Sequence, residues 1–107
     1  MTRAYSRGRE KLREAVYWLA VDRGDVRARL SRVYPILRRL SNRDLPVALH
    51  ERLRAVKVDL TRFGPETYLG EIVKSAVDHT MSRIRNVTGS KIAARILALE
   101  RDLESLQ

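Results

Sequence analysis

Apolar residues recur every three or four positions along nearly the whole chain. That period matches the 3.6-residue turn of an α-helix, not the two-residue alternation of a strand. Helix-stopping signals fall at intervals suited to helices of about 15 to 22 residues. The pattern predicts an all-α protein, a single compact bundle of about five helices. Its connections, about 2 to 5 residues long, favour antiparallel neighbours. A chain of 107 residues has the size of one domain and can build a core without disulfides or metals. Residues 1–6 are expected to form a flexible basic arm.

The first helix is predicted over residues 6–21, with Ser6 as N-cap and Leu12, Ala15, Val16, Leu19 and Ala20 on its inner face. Asp22-Arg23-Gly24 ends it, and Asp25 caps a second helix with a stripe of Val26, Leu30, Val33, Leu37 and Leu40. Pro35 lies opposite that stripe, so the helix either bends near Tyr34 or divides in two. Asp44 is expected to cap a third helix with Pro46 in its first turn and Leu45, Leu49, Leu53, Val56, Leu60 and Phe63 inward. After Gly64-Pro65, a fourth helix is expected to run to residue 87, burying Leu69, Ile72, Val73, Ala76, Val77, Thr80, Ile84 and Val87. Thr88 or Ser90 would cap the last helix, whose Ile92, Ile96, Leu99, Leu103 and Leu106 repeat a 4-3-4-3 spacing. That seam either closes the core or joins two copies as a homodimer.

Charge is distributed unevenly along this pattern. Residues 1–63 hold 16 Lys and Arg against 7 Asp and Glu, while residues 64–107 hold 6 of each. Most of the excess lies before residue 44, where 12 basic residues face 4 acidic ones. Such a field points to an anionic partner. Arginine supplies 18 of the 22 basic residues; its fork suits phosphate and carboxylate, although a GC-rich genome produces the same bias. On the second helix Arg32, Arg39 and Arg43 fall within about 40° of one another, Arg27 and Arg38 lie on the other flank, and Arg29 sits near the apolar edge. These six are the candidate anion-binding residues, with Arg7, Arg9 and Arg13 extending the surface from the arm. The bland alternative is a solvated face whose arginine stems cover apolar neighbours.

The leading function predicted is therefore a non-enzymatic protein that binds the backbone of DNA or RNA. Base reading is not expected, because the third helix opens Leu45-Pro46-Val47-Ala48-Leu49 without a polar reading side chain. The alternative is an interaction module docking on an acidic protein surface. Residues 15–21 are apolar all round, so Tyr17, Trp18 and Val21 would be its interface, unless that helix lies centrally and buries them.

Other patterns carry less. Arg43 and His50 stand at the Arg-x6-His spacing of HEPN-type ribonucleases, a match expected about once by chance here, and define a minor enzymatic alternative. No metal or cofactor site is expected: the chain has no cysteine, and His50 and His79 lack a histidine three or four residues away. No apolar run approaches the ~18 residues of a membrane span, and the apolar segment 15–21 lacks the flanks of a signal peptide. A cytoplasmic protein that does not enter membranes is expected.

Overall fold

The structure is a computed structural model and describes residues 3–106. Five α-helices dominate it: α1 (Ser6–Val21), α2 (Val26–Arg38), α3 (Val47–Leu60), α4 (Ala76–Arg83) and α5 (Asn86–Glu104). A 3-10 turn (Asn42–Asp44) precedes α3, and a hairpin of β1 (Glu66–Tyr68) and β2 (Glu71–Lys74) precedes α4. The predicted helical fold is present. No helix among the described residues is long and apolar enough to cross a membrane.

The first two helices follow the sequence signals closely. α1 begins at Ser6, but Ser6 is its first helical residue; Tyr5, in the left-handed region at φ 59°, holds the N-cap position without a side-chain cap. Asp25 caps α2 by accepting from the Ala28 amide at 3.0 Å. The helix continues through Pro35 to Arg38 without dividing. Pro35 is exposed, so its ring does not intrude on the core, while its missing N–H leaves the Ser31 carbonyl without the bond that a regular helix would make.

The core takes one face from every helix. Leu12, Ala15 and Leu19 of α1 meet Leu30, Val33 and Leu37 of α2 and Leu49, Leu53, Val56 and Leu60 of α3. Val77 and Met81 of α4 join them, as do Ile92, Ile96, Leu99 and Leu103 of α5. Four of the five residues in the 4-3-4-3 stripe of the last helix thus lie inside the molecule and close its core. Val16 is only partly buried, and Ala20, Phe63 and Leu106 are exposed instead of facing inward.

Around Asp44 the helix boundary is shifted. Asp44 does not open α3; its carboxylate accepts from the Ser41 amide at 2.8 Å and closes the 3-10 turn, while Pro46 takes the N-cap of α3. Leu40 and Leu45, on either side of that turn, are both buried, which anchors it to the core.

The largest departure is at residues 65–87, where one long helix was expected. Leu69 (φ 51°) and Gly70 (φ 81°) both have positive φ, the requirement of a two-residue type I′ hairpin turn that glycine meets without strain. Thr67 and Tyr68 before it and Ile72 and Val73 after it favour extended backbone. Glu66 pairs with Lys74, Thr67 with Ile72 and Tyr68 with Glu71, with Val73 as an extra, bulged residue in β2. Leu69, Ile72, Val73 and Val87 are consequently exposed, and only Val77 and Thr80 of the expected inner face are fully buried. Ser75 then caps a short α4 by accepting from the Asp78 amide. α5 starts at Asn86, ahead of both expected caps.

Gly8 sets how α1 meets the 3-10 turn. A Cβ there would lie 2.1 Å from the Asp44 carbonyl oxygen, which belongs to backbone that cannot step aside. Alanine ordinarily stabilises a helix interior by about 1 kcal/mol over glycine, whereas overpacking costs about 1–3 kcal/mol or more. Gly8→Ala is therefore expected to lower the unfolding free energy by about 2 kcal/mol in urea titrations. At Gly89 the nearest atoms are side-chain carbons, Val26 Cγ1 at 3.0 Å and Arg27 Cγ at 3.4 Å. Gly89→Ala should then change stability by less than about 1 kcal/mol.

Candidate anion-binding surface

Most of the arginines expected to face a partner are bonded within the fold. The last carbonyls of an α-helix have no intrahelical donor, and here basic side chains from other elements supply one. At the end of α1, Arg29 Nη1 donates to the Leu19 carbonyl at 2.8 Å, and Arg32 donates to the Arg23 carbonyl and to Asp22. At the end of α2, Arg7 Nη2 reaches the Arg39 carbonyl at 3.4 Å and Lys57 Nζ the Leu40 carbonyl. Arg27 donates to the Ile84 carbonyl at the end of α4 at 3.0 Å and pairs with Asp25. Arg3 and Arg9 both donate to the Leu106 carbonyl just beyond α5, each at 3.1 Å.

Arg9 shows how far this goes. It was expected on an exposed arm, yet it is 3% exposed, because it lies on the side of α1 turned toward α5. Its Nε donates to the Ala4 carbonyl at 2.8 Å. Its Nη1 stands 3.7 Å from Glu104, an ion pair too long for a hydrogen bond. Arg13 reaches the same carboxylate at 2.8 Å and Arg3 at 3.1 Å, so Glu104 holds three arginines from the start of the chain. Residues 3–6 are thereby tied to the end of α5 and do not form a free arm; Met1 and Thr2 of that expected arm lie outside the described residues. Within the helix, Arg7-Gly8-Arg9 has no freedom to follow a groove.

What remains is a smaller cluster. α2 ends at Arg38, and Arg39 is its C-cap; two cations there complement the negative end of the helix dipole. The 3-10 turn brings Arg43 beside them and α1 brings Arg7. Arg7, Arg39 and Arg43 line one depression of about 290 Å³ with Ser41 and Asp44. Arg39 also lines the adjoining depression with Pro35 and Arg38. Among the described residues, Arg38, Arg39 and Arg43 have no side-chain hydrogen bond or ion pair, and all three are exposed. The one carboxylate here is Asp44, 6% exposed, bonded to Ser41 and 3.5 Å from Arg7 Nε. Four guanidinium groups against one withdrawn carboxylate leave a local charge of +3.

Lys57 completes the rear of this site and was not anticipated from the sequence. Burial lowers its pKa, and the negative charge of Asp44 opposes that shift. No one-dimensional signal marks it, since it reaches Leu40 from another helix. A second basic spot joins the two parts of the chain: exposed Arg62 and Lys91 line a depression with Asp59, Thr88 and Arg95, but Asp59 is paired with Arg95 at 2.6 Å.

The other candidates occupy different places. Tyr17 (56% exposed), Trp18 (43%) and Val21 (54%) stand on the solvent side of α1, the two rings edge to face with centroids 5.1 Å apart. His50 Nε2 lies 2.7 Å from the Leu45 carbonyl; a carbonyl only accepts, so that nitrogen carries the proton and holds His50 to the segment before α3. His79 Nδ1 donates likewise to the Gly64 carbonyl at 2.9 Å.

Two outcomes follow from this division of labour. Arg9→Gln removes the donors to the Ala4 and Leu106 carbonyls and the stem of a side chain that is 3% exposed, and is expected to cost about 2–3 kcal/mol of stability, whereas Arg43→Gln should stay within about 0.5 kcal/mol; parallel denaturant titrations decide. The second concerns pH. Hydrogen bonds from Arg13, then Arg3, hold the Glu104 carboxyl below its usual pKa, and the Arg23 amide and Arg32 do the same for Asp22. A carboxylate with a lower pKa folded than unfolded stabilises above its unfolded pKa and loses that contribution as pH falls through the folded value. The melting temperature should therefore decline as pH drops below the ordinary carboxylate range, and less steeply in Glu104→Gln.

No protein-family model, curated protein or solved structure matches the chain, and the residues of this surface are what its function is read from.

Proposed function

We propose that the protein binds a nucleic-acid backbone, without chemistry, through Arg7, Arg38, Arg39 and Arg43. The observation that carries this reading is three guanidinium groups without internal partners, Arg38 and Arg39 in one depression and Arg39 and Arg43 in the next, beside a carboxylate already satisfied from within. Each planar fork can pair two phosphate oxygens. No base-reading amide side chain accompanies the arginines that line the two depressions, so binding is sequence-tolerant and driven by charge and counterion release. Arg27, Arg29 and Arg32 serve the helix ends instead. The cytoplasm is the proposed place of action.

A second reading rests on Tyr17, Trp18 and Val21, large apolar groups left in water on α1. Tyr and Trp are common anchors of protein interfaces, and an acidic partner surface would complement the surrounding charge. Tyr17 follows Arg7 by ten helical residues, about 15 Å along the axis, so this surface is separate from the arginine cluster.

Fluorescence anisotropy with a labelled duplex tests the proposal. With three to four phosphates neutralised, the log-log slope of affinity against salt is expected near −3. Changing Arg38, Arg39 and Arg43 together to Ala should abolish measurable binding at about 50 mM salt, while Trp18 emission stays unchanged on binding by the wild type. A slope near zero, or full binding by the triple variant, defeats the reading. A shift of Trp18 emission when an acidic protein is added favours the second.

A further inference from the structure

The depression lined by Arg7, Arg39, Ser41, Arg43 and Asp44 discriminates between the two kinds of phosphate that a nucleic acid presents. A diester within a strand carries one negative charge and two free oxygens, hence a single O–P–O edge for a guanidinium fork. A terminal phosphomonoester carries a charge of about −1.5 to −2 at neutral pH and three free oxygens, hence three such edges. It is also tethered on one side only, so it can enter a hollow that a continuous strand would cross.

The side chains here match the monoester. Three guanidinium groups against Asp44 leave a charge of +2 in this one depression, the opposite of what a terminal phosphate brings. Arg39 and Arg43 are exposed and keep whole forks, and the single edge of a diester serves only one of them. Arg7 holds its Nε 3.5 Å from Asp44 and its Nη2 3.4 Å from the Arg39 carbonyl, which leaves Nη1 for one bond to the remaining oxygen. The exposed Ser41 hydroxyl stands 3.3 Å from Asp44. Because Asp44 also accepts from the Ser41 amide at 2.8 Å, that hydroxyl can turn to a phosphate without leaving the carboxylate unbonded. The three cations come from separate elements, namely α1, the C-cap of α2 and the 3-10 turn, so they surround one hollow instead of forming a track along a helix.

We propose that this depression takes the terminal phosphomonoester of a nucleic-acid strand, which rests on the backbone binding proposed above and deepens it. Arg39 and Arg43 hold two edges of the phosphate, and Arg7 reaches its third oxygen. Arg38, in the adjoining depression with Pro35 and Arg39, is left for the diester that follows. The protein therefore prefers phosphorylated strand ends to uninterrupted backbone.

Fluorescence anisotropy tests this with one short single strand, labelled at an internal base and carrying a 5′-phosphate, a 3′-phosphate or hydroxyl groups at both ends. At about 50 mM salt, at least one of the phosphorylated strands is expected to bind about tenfold tighter than the unphosphorylated one, and the end that shows the preference is the end recognised. Arg43→Gln should reduce that preference to about twofold or less. Arg38→Gln should weaken all three strands alike and keep the preference, because it stands in the other depression. Circular dichroism would verify the helices in each variant. Equal affinity of the wild type for the three strands overturns the proposal and leaves backbone binding standing, whereas binding of none defeats both. A preference that Arg43→Gln leaves intact, or that Arg38→Gln removes, overturns it as well.

Discussion

The helices are held in place by cations at their C-terminal ends. Four of the five end near carbonyls that accept from an arginine or lysine of another element: Arg29 on Leu19, Lys57 on Leu40, Arg27 on Ile84, Arg3 and Arg9 on Leu106. A hydrogen bond from a charged donor contributes about 1.5–3 kcal/mol where it is shielded, and leaving a buried carbonyl unpaired costs a similar amount. Apolar burial favours collapse without direction. The caps add direction, because each joins the end of one helix to a side chain of a different element. α3 is the exception, and its final turn is closed locally by the Thr61 hydroxyl donating to the Lys57 carbonyl at 2.8 Å.

This use of arginine alters the meaning of the charge count. Along the sequence, the positive charge belongs to the first part and the neutral balance to the second. In space, Glu104 from the neutral part holds Arg3, Arg9 and Arg13, and Asp102 holds Arg52. The asymmetry therefore shrinks on folding. Of the guanidinium groups left over, those of Arg38, Arg39 and Arg43 lie where α2 ends, while Arg62 stands by Lys91 and Arg83 over the Phe63 ring.

Much of the helical architecture was legible because strong local signals coincided with periodicity. Asp22-Arg23-Gly24 ends α1 and Asp25 caps α2, and the stripe of Leu30, Val33 and Leu37 is buried as its spacing implies. Residues 65–87 misled because Leu69, Ile72, Val73, Ala76 and Val77 also fit a helical face, and a short apolar run does not by itself separate strand from helix. The decisive signal was Leu69-Gly70 flanked by β-formers, a turn motif weaker than Asn-Gly but of the same geometry. The candidate site was legible only in part. Arg38, Arg39 and Arg43 were named with Arg27, Arg29 and Arg32, and nothing along the helix distinguishes the two groups. What separates them is tertiary: the carbonyls of Leu19, Arg23 and Ile84 come within reach of the second group alone.

The structural and the unpaired cations act on one another at the end of α2. A helix C-terminus carries a partial negative charge that disfavours a nearby anion by about 0.3–1 kcal/mol. That would make this a poor place for a phosphate. Here Arg7 and Lys57 donate to the carbonyls of Arg39 and Leu40, which compensates that end of the dipole from behind. Asp44, the other negative group, is drawn inward by Ser41 and Arg7. Arg38, Arg39 and Arg43 can then present their charge outward with little opposing field. The caps that close α2 are thus the same contacts that make its end suitable for an anion, and fold and proposed site rest on one set of side chains.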